Sequence, residues 1–266
     1  WYDNKVATTM IKMTRGMLVL FGLLASAVLQ AGEVTGSLQW LRRVELSTPA
    51  SGVISQVVVD KGDEVQKGQL LLSLDPRGFN ALARKAEARA RSTREARDEA
   101  RRELERTTEM YDRTLLSDHE LQLAKIALSN AEAELQAAEA ERTLARLELE
   151  YSRVTAPFDG VILERRAEVG QTVVTRMQSV PLLVLAETGR MLARVEVSEQ
   201  ELTVLRKGME VPVRAGGKTF RGTVQRLGME PVIAASGVAR YEVDVLFEYP
   251  RTERLRAGQG AVVVLP

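Results

Sequence analysis

Cysteine is absent from the 266 residues. Disulfides, thiolate nucleophiles, zinc–thiolate sites and an acyl anchor on cysteine are therefore excluded. Histidine occurs once, at position 119, so multi-histidine metal sites are excluded as well. Aromatic residues are only 5% of the chain, too sparse for a platform on which bases stack. Charge of one sign is also lacking: 37 basic residues stand against 36 acidic ones, and no global field points to nucleic acid. No P-loop, catalytic dyad or metal-ligand cluster can be read anywhere, so no enzymatic activity and no cofactor are expected. The longest apolar run, Met17 to Leu29, is shorter than the ~20 residues a membrane span needs. With Lys12 and Arg15 before it and small residues Ala25-Ser-Ala27 and Ala31 around its end, it reads as an export signal or an N-terminal anchor within 1–31.

What is present is a repeat cut in two. The first copy reads Pro49-Ala-Ser-Gly52-Val53-Ile54, followed by Gly62-Asp-Glu-Val65. The second reads Pro157-Phe-Asp-Gly160-Val161-Ile162, followed by Gly170-Gln-Thr-Val173. All six identities keep one offset of 108 residues. Each copy ends on a Leu-Leu-x-Leu strand, Leu71-Leu72-Ser73-Leu74 and Leu182-Leu183-Val184-Leu185, and in the first copy apolar residues at Val57 and Val59 and at Leu70, Leu72 and Leu74 keep the period of two that marks β structure. A repeat divided this way predicts two half-motifs that meet in space and project the intervening chain as one protrusion.

The insertion is helical. Asp75-Pro76 offers an N-cap and a proline in the first turn, and no further proline occurs until Pro157. Apolar residues recur at Phe79, Leu82, Ala86, Ala90, Ala96, Ala100, Leu104, Met110 and Leu115. Thr114-Leu-Leu-Ser117 breaks the pattern, and Ser117-Asp-His-Glu120 is a capping box that opens a second helix. In that helix Leu121, Leu128, Leu135 and Leu149 are spaced in sevens, with Arg142 in the vacant place, and Ala124, Ala131, Ala138 and Ala145 form a parallel stripe. Residues 77–113 hold 11 basic and 8 acidic side chains, and residues 118–150 hold 3 and 8. Antiparallel arms with such faces can pair. Beyond the second half-motif, residues 190–266 return to short strands with Gly-rich turns and one brief helix after Ser198, the pattern of a small closed β-barrel.

This order of half-motif, helical hairpin, half-motif and barrel resembles the periplasmic adaptor, or membrane fusion, proteins of bacterial tripartite efflux pumps. The resemblance covers residues 33–266 and adds Val195-Glu-Val-Ser-Glu199, Leu205-Arg-Lys-Gly208, Phe220-Arg-Gly-Thr-Val224 and Leu255-Arg-Ala-Gly258 in the barrel. It implies a mixed β and α fold: a split lipoyl-like β domain with an inserted antiparallel coiled-coil hairpin, followed by a small β-barrel. The implied map is 32–75 for the first lipoyl half with a leading strand, 76–151 for the hairpin, 152–188 for the second half and 189–266 for the barrel. A lipoyl or biotinyl carrier would hold a modifiable lysine between its halves, where this chain has Leu74-Asp75-Pro76. A carrier, or a structural coiled coil without transport, is the alternative reading.

The resemblance also implies a site. Adaptors of this family that dock on TolC-like outer-membrane channels carry Arg, then Leu four residues on, then Ser seven further. Arg106, Met110 and Ser117 stand at those spacings, with Met in place of Leu, a change that conserves volume. Arginine would bond carbonyls or carboxylates of the channel and Met110 would fill a groove, although Ser117 is an N-cap in any case and Met110 could be hairpin core. Gln171 is a candidate for a ring at the pore axis. The implied partners are an inner-membrane transporter of RND or ABC type, the outer-membrane channel, and further copies of the chain in a hexamer built as a trimer of dimers. The implied location is the periplasm, associated with the inner membrane.

Overall fold

The structure, a computed structural model, describes residues 32–174, 180–233 and 238–266. The expected export signal or anchor lies outside the described residues. Among those described, no helix is long and apolar enough to cross a membrane. The chain forms two units, Leu41–Thr188 and a second made of the segment up to Trp40 with Gly189–Pro266.

The first unit shows why the repeat is divided. Its first half supplies β2 (Arg43–Leu46), β3 (Gly52–Val57), β4 (Glu64–Val65) and β5 (Leu70–Leu74). Its second half supplies β6 (Arg153–Thr155), β7 (Gly160–Arg165), β8 (Thr172–Val173) and β9 (Leu183–Glu187). Neither half makes a sheet alone. One sheet runs β2-β9-β7-β4 and the other β6-β5-β3-β8, so each is built from both halves. Exchanging β2 with β6, β3 with β7, β4 with β8 and β5 with β9 turns one order into the other, an internal two-fold.

The bonds obey the same symmetry. The Gly62 N–H donates to the Ile162 carbonyl at 2.8 Å, and the Gly170 N–H donates to the Ile54 carbonyl at 2.8 Å. Gly52 pairs with Val173, and Gly160 pairs with Val65. Ile54, Ile162, Val65 and Val173 are all buried in one core with Leu72, Leu74, Leu183 and Leu185. The repeated glycines have different reasons. Gly62 and Gly170 sit in turns at φ 94° and 88°, the left-handed region. A Cβ at Gly160 would lie 2.1 Å from the Ala186 carbonyl oxygen, so the strands close only with glycine there.

Two long helices leave this unit, α1 (Pro76–Asp112) and α2 (Asp118–Tyr151). At ~1.5 Å per residue each arm is about 50 Å long. Their base is tied into the sheets. The Asp75 carboxylate caps α1 by accepting the Arg77 N–H at 3.0 Å, and Phe79 packs on the sheet core. The buried Thr48 hydroxyl donates to the Tyr151 carbonyl at 2.5 Å, and the Leu74 N–H donates to the Ser152 carbonyl at 2.8 Å. The arms run antiparallel, with Arg94 to Glu139 at 2.5 Å and Arg146 to Glu87 at 3.2 Å crossing between them. The basic α1 thus meets the acidic α2, although every one of these groups is exposed enough that each pair contributes well under about 1 kcal/mol.

The second unit is a closed six-stranded barrel of order β1-β10-β13-β12-β11-β14. Its strands are β1 (Glu33–Trp40), β10 (Arg190–Val197), β11 (Glu210–Ala215), β12 (Lys218–Ile233), β13 (Ala239–Glu248) and β14 (Gly260–Val264), with the short α3 (Glu199–Val204) after β10. Here the expected map needs a correction. The strand assigned to the first lipoyl half is β1, and it belongs to the barrel. It pairs with both β10 and β14 and buries Leu38 and Val34 inside. Without it the edges of β10 and β14 would stay open, so closure draws the strand into the barrel. The unit boundary accordingly falls after Trp40.

Candidate partner-binding site at the hairpin tip

The turn between α1 and α2 is held by two motifs back to back. On the α1 side the Thr114 N–H donates to the Tyr111 carbonyl at 2.8 Å and the Leu115 N–H to the Met110 carbonyl at 3.0 Å. These are the two bonds of a Schellman motif, which satisfies the last carbonyls of a helix. The left-handed residue of that motif is usually glycine. Here it is Thr114 at φ 59°, the only positive-φ non-glycine among the described residues. A β-branched residue in this region costs on the order of 1–2 kcal/mol. Its hydroxyl donates to the Arg113 carbonyl at 2.7 Å, which returns part of that cost.

On the α2 side Ser117 and Glu120 form the expected capping box. The Glu120 N–H donates to Ser117 Oγ at 3.3 Å, and the Glu120 carboxylate accepts both the Ser117 N–H and its hydroxyl at 2.8 Å. Those two bonds, the backbone one foremost, hold the Glu120 carboxyl below its ordinary pKa. The Ser117 hydroxyl proton is thus occupied inside the cap, and only a lone pair is left for a partner.

Between the two motifs the chain shows apolar groups to solvent. Met110 is 38% exposed, Tyr111 37% and Leu115 66%. Met110 therefore is not hairpin core; the last interior positions are Thr107 on α1 and Leu121 on α2, both buried. Arg106 stands one turn before Met110 on the same face of α1, exposed and ion-paired with Glu103 on its own helix. Arg106 and Met110 lie in the last two turns of α1, and Ser117 caps the start of α2. Tyr111 carries no signal of its own in the sequence, and the spacing of Leu115 predicts one more helical apolar residue. The break at Thr114 is the signal that could have placed both on the tip.

Gln171 is elsewhere, in the turn before β8. Its side-chain oxygen accepts the Glu168 N–H at 3.0 Å and its own N–H donates to the Glu168 carbonyl at 3.1 Å. Gln69 does the same to Gln66, and Gln259 to Arg256, each after a glycine of positive φ. The Gly-Gln dipeptide is a recurrent turn closure in this chain, and the carbonyl side of Gln171 serves it. No group of three or more His, Asp or Glu able to hold a metal occurs among the described residues.

Comparison with known proteins places this arrangement. The family described as "RND MFP, barrel-sandwich hybrid domain" matches residues 42–185. Among curated relatives, the macrolide export protein MacA of Yersinia pestis is 28% identical over 238 residues, covering 83% of this chain and 63% of that protein. The nodulation protein NolF of Rhizobium meliloti is 33% identical over 199 residues, 73% of this chain and 53% of that protein. The chain thus spans between 41% and 63% of the length of these and other curated relatives it matches. A crystal structure of a MacA–MexA chimera carrying the Pseudomonas aeruginosa MexA α-hairpin shares the fold at TM-score 0.65 and 22% identity, covering 88% of this chain and 80% of the chimera.

Proposed function

The chain belongs to the RND membrane fusion proteins, and from that premise we propose that it is a periplasmic adaptor that joins an inner-membrane efflux transporter to an outer-membrane channel. It would work without catalysis or cofactor, with the energy of transport supplied by the transporter. The observation that carries the reading is the tip. A hairpin about 50 Å long ends in a doubly capped turn that offers Arg106 and the apolar Met110, Tyr111 and Leu115 to solvent. A turn fixed from both sides loses little entropy on docking, and an arginine beside apolar anchors is the composition of a binding hot spot.

In this proposal Ser117 is a positioning residue rather than a direct donor, because its proton is held by Glu120. A ring position for Gln171 would use only its amide NH2. Self-association as a trimer of dimers, a periplasmic location at the inner membrane and a transporter of RND or ABC type complete the proposal. The Yersinia relative is a macrolide export protein by name; for this chain we carry over only export of small molecules.

The test is susceptibility. A strain lacking the chain should become more sensitive to at least one class of exported compound, and the native chain should restore resistance. Arg106→Glu combined with Met110→Glu should fail to restore it while accumulating to the native level. Full restoration by that double variant would overturn the tip assignment; unchanged sensitivity on deletion, across all compound classes, would overturn the efflux reading.

A further inference from the structure

The second helix carries more apolar surface than its partner arm covers. Its interior stripes repeat two residues further on, about 200° round the helix, on the face turned away from α1. Counted in sevens, Leu123, Asn130, Ala137, Leu144 and Tyr151 form one row of this face. Ile126, Ala133, Ala140 and Leu147 form the other. Eight of these nine positions are apolar, and all but the half-buried Leu147 are exposed. Leu123, Ile126 and Leu144 are each more than half exposed. The outward positions of α1 differ: Arg84, Arg91, Glu95 and Arg102 stand there among Ala81 and Ala88.

A strict repeat of seven is a coiled-coil seam, so the matching surface is another long helix, over about 42 Å. The other long helix among the described residues is α1, and it already packs on the opposite face of α2. The outward face is also approachable. α2 runs on into β6, the last strand of its sheet, so the face stands over an open sheet edge. Tyr151 at its foot lines a groove of about 600 Å³ with Leu46, Thr48 and Arg153.

The rows also state which helix fits. Their spacing makes the Leu123 row the a positions and the Ile126 row the d positions. Asn130 is then the one polar residue of the seam, at an a position. In a parallel, in-register pair of α2 helices each a residue faces its own copy, and the two Asn130 amides bond to each other. The g positions Ser129, Gln136 and Thr143 are uncharged donors. They meet Glu134, Glu141 and Glu148 of the other helix, five residues on. An antiparallel pair instead sets Asn130 opposite an apolar residue and brings the e-position glutamates face to face. The largely charged outward face of α1 leaves the apolar rows without a match.

We propose that the outward face of α2 is a contact surface between two copies of this chain, whose second helices lie parallel and in register as a two-stranded coiled coil. The inference stands without the adaptor reading, since it uses neither the tip nor a transporter.

The absence of cysteine allows a direct test. The full chain in detergent carries Ala133→Cys, Ala140→Cys or Ser92→Cys and is oxidised mildly with copper–phenanthroline. Positions 133 and 140 are d positions of the seam. Position 92 is exposed on α1 near the level of 140, as the Arg94–Glu139 pair aligns the arms. Expected are disulfide-linked dimers at 133 and 140, at least about tenfold more abundant than at 92. Both links should be lost when Leu144→Glu places a charge in the seam. Links at 133 and 140 no more frequent than at 92 overturn the proposal, and so do links that persist undiminished with Leu144→Glu. A mixed disulfide between positions 140 and 92 as the main product also overturns it, since it puts α1 of the second copy on this face. Two cysteine sites guard against a local defect at either one, and far-ultraviolet circular dichroism checks that each variant keeps its helices.

Discussion

Thr114 and Ser117 stand on either side of the hairpin turn and act on it in opposite senses. Thr114 holds a left-handed backbone that glycine would adopt freely, and Ser117 supplies the cap that starts α2. Thr114→Gly should therefore stabilise the turn by about 1 kcal/mol, and Ser117→Ala should destabilise it by about 1 kcal/mol. Hydrogen exchange reads both locally. The Leu115 amide, bonded to the Met110 carbonyl, should exchange about fivefold more slowly in the first variant, and the Glu120 amide about fivefold faster in the second. A Ser117→Ala variant with unchanged exchange at Glu120 would contradict the capping account. The cap was legible because Ser-x-x-Glu states its own mechanism. The strain at Thr114 was not, because nothing in a threonine announces a positive φ. The exposure of Met110 was not either, since two readings fit its spacing and only the register of the arms decides between them.

At the scale of elements, the hairpin interior is where pattern and packing part company. The second helix was read well. Its stripes at Leu121, Leu128, Leu135 and Leu149, and at Ala124, Ala131, Ala138 and Ala145, are the positions that lose exposure, with Arg142 half-buried among them. The first helix was read by hydrophobicity, which chose Leu82 and Ala96. Both are exposed, while the interior keeps the expected Ala86, Ala90, Ala100 and Leu104 and adds Ala83, Thr93, Arg97 and Thr107. Threonines can take such places because their hydroxyls bond within the helix, as Thr93 does to the Arg89 carbonyl at 3.1 Å. Arg97 is the costly one. Its Nε is enclosed without a hydrogen bond; Asp98 Oδ1 lies 2.8 Å away, a charge contact toward which the N–H does not point. Replacing an interior charge by an apolar group of similar length is often stabilising. Arg97→Met should slow exchange of the neighbouring hairpin amides about fivefold, equivalent to about 1 kcal/mol. Faster exchange would mean that Arg97 contributes more than it costs, for instance by fixing the register of the arms.

For the whole molecule, the split repeat carried most of the fold. Five of its six identities, all but Pro49 and Pro157, map onto paired strands, crossed backbone bonds and core residues that only both halves together complete. The barrel strands were equally visible, except that β1 looked like a neighbour of the residues that follow it. Its allegiance is decided by closure, a non-local demand that no window of sequence contains. The register shifts between β12 and β13 were hidden for the same reason, since a bulge is a relation between two strands. What a partner would meet is the hairpin tip, and docking there is the central claim. The most direct measurement places a cross-linker at Leu115→Cys, a position 66% exposed that leaves both caps intact, in cells that carry the outer-membrane channel. The account predicts a covalent adduct between this chain and the channel, lost when Arg106→Glu is added; no adduct from an adaptor that still co-purifies with its transporter would contradict it.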